Sequence, residues 1–208
     1  MRKTLPRYHL PVSSLVLALF FALAGCSHVI PRFGIGGRYL EGKQEVTKGR
    51  FGDVDKAILA LEDVARQDPT YQDSLTLLGR AYYKKGRYRD ALEILRRASA
   101  VNPEDEIAWI ALGLTQLRLG DDQRGFETLK GGLTLLNKVS VDGYKGISFW
   151  DKNGSVRIAI RQSIFLLMKE AEAKEKIISS GEILLARIDD EMWKSTGEEL
   201  REATRGDN

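Results

Sequence analysis

The 208-residue chain is poor in the side chains that most often carry catalysis, with one cysteine (Cys26) and two histidines (His9 and His28). A single thiol cannot form a disulfide within the chain, and histidine is the commonest general base. The acidic runs 104–106 and 189–191 are typical of solvated helix ends. No metal-ligand cluster, nucleophile elbow or phosphate loop is recognisable. We therefore expect no catalytic residue, no metal and no cofactor, and rank an enzyme last.

Long hydrophobic runs are also missing, since the longest apolar stretch is Leu15–Ala24. Ten residues are too few to cross a bilayer, which takes about 20 in a helix. Behind the basic residues Arg2, Lys3 and Arg7, this stretch is typical of a signal peptide. Such a stretch is also compatible with a plain secretory peptide or with an uncleaved anchor, and these stay as alternatives.

The apolar stretch ends in Leu23-Ala24-Gly25-Cys26, which resembles the lipobox of bacterial lipoproteins. The resemblance implies that residues 1–25 are removed, that diacylglycerol is attached to the Cys26 sulfur, and that the freed amine is acylated with a fatty acid such as palmitate. Several acyl chains together hold a protein firmly at a membrane. In such lipoproteins an aspartate after the cysteine favours the inner membrane. Ser27 therefore predicts the periplasmic face of the outer membrane.

The positive charge of the whole chain comes from its first residues. The chain has 32 Lys and Arg against 29 Asp and Glu, a net charge of +3. Three of the basic residues and no acidic one precede Cys26, so the mature chain has a formal charge of zero. This balance gives no reason to expect nucleic acid as a partner.

A period of 34 residues is the strongest pattern after the signal peptide. Glycine recurs at 52, 86 and 120, and leucine at 61, 95 and 129. Proline at 69 and 103, and the pairs Leu78-Gly79 and Leu112-Gly113, keep the same spacing. Agreement in several columns indicates a repeated structural unit rather than chance.

The segment 72–103 resembles the tetratricopeptide repeat (TPR), a pair of antiparallel helices that stacks into a solenoid. In this resemblance Gly79 and Ala91 are small because the two helices cross closely there, and Gly86 ends the first helix with a positive φ. Residues 38–139 then hold two good repeats and one degraded first repeat, whose first helix lies within 39–48. Gln44-Glu45 stand there where Leu-Gly would be expected.

Outside the repeats the pattern changes. Residues 26–37 hold the lipidated cysteine and a glycine-rich tether. Residues 140–208 read as a loop followed by two helices, one from about Ser155 and one after Ser180-Gly181, which cap the solenoid. A hairpin between 147–150 and 156–160 is the alternative to the helix at Ser155. The predicted fold class is thus all-α, a short TPR-type solenoid with a C-terminal helical pair.

A stack of helical hairpins offers a concave groove, and helical spacing gives candidate lining residues for a partner. The first helix of the second repeat supplies a polar set and that of the third an apolar set: Asp73, Thr76, Arg80, Tyr83 and Lys84, then Ile107, Ile110, Leu114 and Leu117. Either a partner segment binds the apolar set or a tail helix covers it, and we favour the tail helix because exposed apolar strips are a liability. Thr76 and Ile107 stand where family members that grip peptide carboxylates carry Lys, Asn or Arg.

The sequence therefore predicts a membrane-anchored, periplasmic adaptor that binds another protein, of unknown identity, in envelope or secretion-complex assembly. A self-associating structural envelope protein is the alternative. Basic residues between 80 and 97 attract anionic head groups or an acidic partner in one interpretation. In the other, which we favour, they form an ordinary solvated helix face.

Overall fold

The structure, a computed structural model, describes residues 34–141, 154–169 and 174–205, without the side chains of 139–141, 168 and 195–205. The predicted signal peptide, Cys26, Ser27 and residues 142–153 of the predicted loop lie outside the described residues. The described part forms helices and no strands, which confirms the all-α prediction. The elements are α1 (Ile35–Thr47), a 3₁₀ turn (Gly49–Phe51), α2 (Val54–Gln67), α3 (Ser74–Lys84), α4 (Tyr88–Val101), α5 (Glu106–Arg118), α6 (Asp122–Val141), α7 (Ser155–Met168) and α8 (Lys174–Arg205).

The first six helices pack as three successive hairpins, α1 with α2, α3 with α4 and α5 with α6, and each hairpin contacts the next. The helix α7 packs on α6, and α8 packs on α7 before it crosses to α5 and α1. None of the helices in the described ranges is long and apolar enough to cross a bilayer.

Glycines allow the two helices of each hairpin to approach closely. A methyl group on Gly79 would lie 2.5 Å from Leu95 Cγ, and one on Gly113 would lie 2.6 Å from the backbone nitrogen of Leu129. The predicted close crossing at Gly79 is therefore confirmed. Gly86 has a φ of 78°, as predicted for the residue that ends the first helix of the second repeat.

The first hairpin differs from the prediction in its register. Its first helix begins at Ile35, inside the segment predicted as tether, and Gly42 takes the place that Gly79 has in the second hairpin. A methyl group on Gly42 would lie 2.4 Å from Leu61 Cγ. Gly42 precedes Gly79 by 37 residues instead of 34, because the 3₁₀ turn Gly49–Phe51 accommodates three extra residues.

The C-terminal helices also depart in part from the prediction. The helix predicted from Ser155 is present as α7, so the hairpin alternative is wrong. The last helix begins at Lys174 instead of after Ser180-Gly181. Gly181 therefore lies inside α8, where this helix packs closely on α5. A methyl group on Gly181 would stand 2.7 Å from Leu114 Cδ2, so a side chain there would meet α5. The remaining domain boundaries stay predictions.

Candidate functional site: a groove filled by the C-terminal helix

The predicted groove is occupied by α8, which contacts α1, the 3₁₀ turn and α5 in addition to its neighbour α7. The expectation that a tail helix covers the apolar set agrees with the structure at Leu114, which meets Gly181 of α8. Five aliphatic residues of α8 are buried: Ile177, Ile178, Leu184, Leu185 and Ile188. Whether any residue of the predicted site binds a partner stays a prediction.

The apolar set divides into two faces of α5. Leu114 is fully buried and meets Gly181 of α8, while Ile107 is only partly buried. Ile110 and Leu117 were predicted to line the groove, but they pack on α6, where Gly132 and Gly125 leave room for them. The reason is the helical period, since 110, 113 and 117 form one stripe that faces the hairpin partner.

The polar end of the groove is held by buried ion pairs. Arg80 and Asp189 are 3% and 1% exposed, and the Arg80 guanidinium forms a salt bridge with Asp189 Oδ1. Lys84 Nζ lies 2.9 Å from Asp189 Oδ2 and donates a hydrogen bond to the carbonyl oxygen of Val46 at 2.6 Å. Burial lowers the pKa of the Lys84 ammonium, and the Asp189 charge opposes that shift. One carboxylate of α8 thus holds two cations of α3.

A second set of polar contacts lies about two to four helical turns before Asp189. Tyr83 donates a hydrogen bond to Glu182 Oε1 at 2.5 Å, and Arg118 Nη2 donates to the same oxygen at 2.8 Å. Arg118 also pairs with Glu175 at 3.2 Å. Burial, with the hydrogen bond to Glu182, raises the pKa of the Tyr83 hydroxyl above its ordinary value.

Asp73 and Thr76 lie away from α8 and connect successive hairpins. Tyr39 of α1 donates a hydrogen bond to Asp73 at the start of α3, at 2.5 Å. Thr76 of α3 likewise donates to Asp105, the residue before α5, at 2.5 Å, and Asp105 also accepts from the backbone of Ala108. Both predicted groove residues therefore serve the contact between repeats.

Arg118 and the buried acids of α8 are central to this site, although neither was among the predicted lining residues. Arg118 follows Lys84 by 34 residues, so the repeat register itself would have placed it on the groove face. Asp189 and Glu191 belong to a run interpreted as a solvated helix end, and that interpretation is wrong for both, since Glu191 is 5% exposed. Only a long-range contact distinguishes these acids from solvated ones, and no local pattern reports it.

The polar end of the groove is not completely closed. A cleft of about 750 Å³ remains between the 3₁₀ turn, α3 and α8. Glu45 fixes the turn, because it accepts hydrogen bonds from the Asp53 backbone at 3.2 Å and from Lys48 at 2.9 Å. The Lys48 hydrogen bond holds the pKa of the Glu45 carboxyl below its ordinary value, although burial acts in the opposite direction.

The basic residues of the second repeat lie outside the groove, apart from Arg80 and Lys84. Lys85 pairs with Asp55 at 2.6 Å and Arg87 with Asp90 at 2.7 Å. Ion pairs of this exposed kind are typical of an ordinary helix face and contribute little to stability. The attraction of this face to anionic head groups stays a prediction.

In the described ranges no group of three or more His, Cys, Asp and Glu side chains is placed to hold a metal ion. The model of the tetratricopeptide repeat family matches residues 50–117, which run from the 3₁₀ turn through most of α5. No curated protein matches the chain. Together with the stacked hairpins, the match confirms the predicted fold class, and residues 50–117 are similar to tetratricopeptide repeats, which generally mediate contacts between proteins.

Proposed function

We propose that the protein is a membrane-tethered adaptor, in which lipid on Cys26 holds the repeat domain at the periplasmic face of the outer membrane while that domain binds another protein. The observation that carries the proposal is the tetratricopeptide match over residues 50–117. The lipobox and Ser27 support the location. Tethering raises the effective concentration of the domain at the membrane, so a modest affinity suffices for a stable contact.

The adaptor binds its partner without expelling α8. Removal of α8 would expose its five buried aliphatic side chains, at a cost of roughly 1.5–3 kcal/mol each, in addition to the buried ion pairs of Asp189. That cost is comparable to the whole binding free energy of an ordinary interface, so we expect the binding surface to comprise what α8 leaves accessible. The rim of the cleft at Phe51, which is 78% exposed, is part of that surface.

Lipid attachment is tested by Cys26→Ser in the full chain expressed in its host. We expect the parent protein to fractionate with outer membranes on a density gradient and the variant to leave the membrane fraction. A Ser27→Asp variant should move to the inner membrane. If Cys26→Ser stays firmly with the membranes, the lipid anchor is wrong, whatever the repeat domain binds.

Partner binding is tested by a photo-crosslinking amino acid placed in cells at Phe51, with Leu59 as the matched position. Both side chains are exposed, but Leu59 lies on α2 away from the cleft. We expect a discrete crosslinked species with one protein from position 51. Smears of equal intensity at both positions, or no product at either, would contradict the adaptor.

Self-association is the second candidate, and exposed apolar side chains at the C-terminal helices favour it. Ile158 and Phe165 of α7 and Ile183 of α8 are each at least half exposed. Sedimentation of the protein over a wide concentration range distinguishes the candidates. A mass that stays monomeric contradicts self-association, and a dimer that Phe165→Ser dissociates supports it.

A further inference from the structure

The cleft beside the 3₁₀ turn has a charged floor and an apolar wall. Arg80 and Lys84 of α3 line it together with Arg50 of the turn. Val54, Tyr88 and Leu185 supply apolar surface to the same space. Its volume of about 750 Å³ lies in the range of small-ligand pockets, roughly 300–1,000 Å³.

The cations on the floor are not fully balanced by the side chains that the structure describes. Arg80 and Lys84 share the single carboxylate of Asp189, so this group of three, of which Arg80 and Asp189 are buried, carries one excess positive charge. Glu182 also lines the cleft, but it is engaged by Tyr83 and Arg118. Asp190 lines it from an exposed position, where solvent screens its charge.

Arg80 also has an unused hydrogen-bond donor. Its Nε is buried, and the described residues supply no acceptor for it. A buried donor without an acceptor costs free energy, and a charged one costs more than a neutral one. The excess charge and the unpaired donor are both satisfied by one added acceptor that carries a single negative charge.

The rim of the cleft offers an apolar contact close to a further cation. The Arg50 guanidinium lies 4.8 Å from the centre of the Phe51 ring, and the ring itself is largely exposed. Arg50 forms no ion pair with any side chain in the described ranges. An exposed aromatic ring beside an unpaired guanidinium suits a ligand that is apolar at one point and anionic at another.

We infer that this cleft is a binding site for a carboxylate attached to an apolar group. The carboxylate lies against Arg80 and Arg50, and the apolar group packs on Phe51, Tyr88 and Leu185. A carboxylate matches the excess charge of Arg80, Lys84 and Asp189, and the apolar wall favours an organic acid over inorganic phosphate. The inference does not depend on membrane attachment or on the adaptor proposal, since a free organic acid would satisfy it.

The test titrates 4-phenylbutyrate into the full chain in zwitterionic phospholipid nanodiscs and records the heat of binding, with empty nanodiscs as the blank. We expect saturable one-to-one binding. The neutral analogue 4-phenylbutyramide has the same shape without the charge and should bind at least tenfold more weakly. Absence of saturable binding, or equal affinity for the amide, would overturn the inference.

Variants at the rim keep the test independent of the buried ion pairs. Arg50→Gln and Phe51→Ala, both in the exposed turn, should weaken binding of 4-phenylbutyrate at least threefold. Arg66→Gln and Leu59→Ala are matched exposed changes on α2 outside the cleft and should leave binding unchanged. Equal effects from the two pairs of variants would also overturn the site.

A spectroscopic readout addresses Arg80 directly. In protein labelled with ¹⁵N-arginine, the Arg80 Nε–H signal is identified by its loss in Arg80→Lys. We expect 4-phenylbutyrate to shift this signal and the amide to leave it in place. A signal that does not respond to a saturating concentration of the acid would show that Arg80 takes no part in binding and would overturn the assignment.

The source of the carboxylate is distinguished by a second probe, the blocked dipeptide N-acetyl-Glu-Phe-amide, whose only charge is a side-chain carboxylate. Tighter binding of the dipeptide than of 4-phenylbutyrate indicates a segment of a protein. Binding of 4-phenylbutyrate alone indicates a free organic acid. Either result supports the site, and failure of both probes contradicts it.

Discussion

The two ends of the groove are closed by the same helix, α8, through different interactions. At the apolar end, Leu114 packs against the backbone at Gly181, and no side chain of α8 stands between them. At the polar end, Asp189 lies between Arg80 and Lys84. The apolar end is closed by shape and the polar end by charge.

This difference accounts for the cleft that the polar end retains. Aliphatic side chains and a glycine pack at close range in any direction, because dispersion attraction has no directional requirement. Ion pairs and hydrogen bonds instead fix particular atoms at particular distances, so the space around them stays open unless other side chains fill it. The turn that Glu45 fixes contacts α8 and borders that space.

The largest effect is expected from Asp189→Ala, which removes the charge from the polar end. Arg80 is then left buried without a carboxylate, Lys84 also loses its ion pair, and breaking a buried pair costs about 3–5 kcal/mol. Urea denaturation followed by circular dichroism measures the loss. Asp190→Ala is the matched control at the next residue, which is exposed. An equal loss of stability in both variants would show that the buried ion pair of Asp189 does not stabilise the fold.

Gly181→Leu tests the apolar end. The new side chain would enter the space of Leu114, which is fully buried and has nowhere to move, so we expect a loss of ~1–3 kcal/mol. The measurement is again the urea midpoint. Ser179→Leu places the same side chain on the exposed face of α8 and should change stability little. A Gly181→Leu protein as stable as the parent would mean that α8 does not sit closely on α5.

A smaller effect is expected from Tyr83→Phe, which removes one hydrogen bond to Glu182 and keeps the ring. A hydrogen bond to a charged group contributes about 1.5–3 kcal/mol, and we expect the lower end of this range because Arg118 still holds Glu182 in the variant. Tyr88→Phe is the control, because the described residues offer its hydroxyl no hydrogen-bond partner. The expected order of thermal midpoints is parent and Tyr88→Phe above Tyr83→Phe.

The smallest effect is one of pH, at the turn that borders the cleft. The pKa of Glu45 is lower in the folded chain than its ordinary value of 4.5. Between these two pKa values the unfolded chain binds more protons, so Glu45 stabilises the fold above about pH 4.5 and this contribution is lost as the pH falls. The shift is limited because burial opposes the Lys48 hydrogen bond. Stability measured against pH should be flatter in Glu45→Gln, and identical slopes would contradict this role.

The sequence was sufficient for the features that depend on local spacing. The 34-residue period predicted the hairpins, and the chemistry of glycine predicted the turn at Gly86 and the close crossing at Gly79. The sequence was less informative at α1, because three extra residues in the 3₁₀ turn shift Gly42 out of the 34-residue period. It was misleading at Gly181, where a glycine that is read locally as a helix boundary serves a contact with α5.

The candidate site was predictable on one side only. Helical spacing placed Arg80, Tyr83, Leu114 and Lys84 on the groove face, and the 34-residue repeat register applied to Lys84 would have added Arg118. The partners on α8 have no such register, since Glu182 and Asp189 lie outside the repeats. Their burial depends on where a distant helix docks, which spacing along the chain does not specify.

The docking of α8 changes how the repeat domain opens. In a linear array of repeats each unit contacts only its neighbours, and such arrays unfold progressively from their ends. Here α8 contacts α1 as well as α5 and α7, so the first and last hairpins share one element. The contact between Arg80 and Asp189 closes a loop of 109 residues, and such distant contacts form slowly. We therefore expect the domain to fold more slowly than an open array of equal length, and to unfold as one cooperative unit.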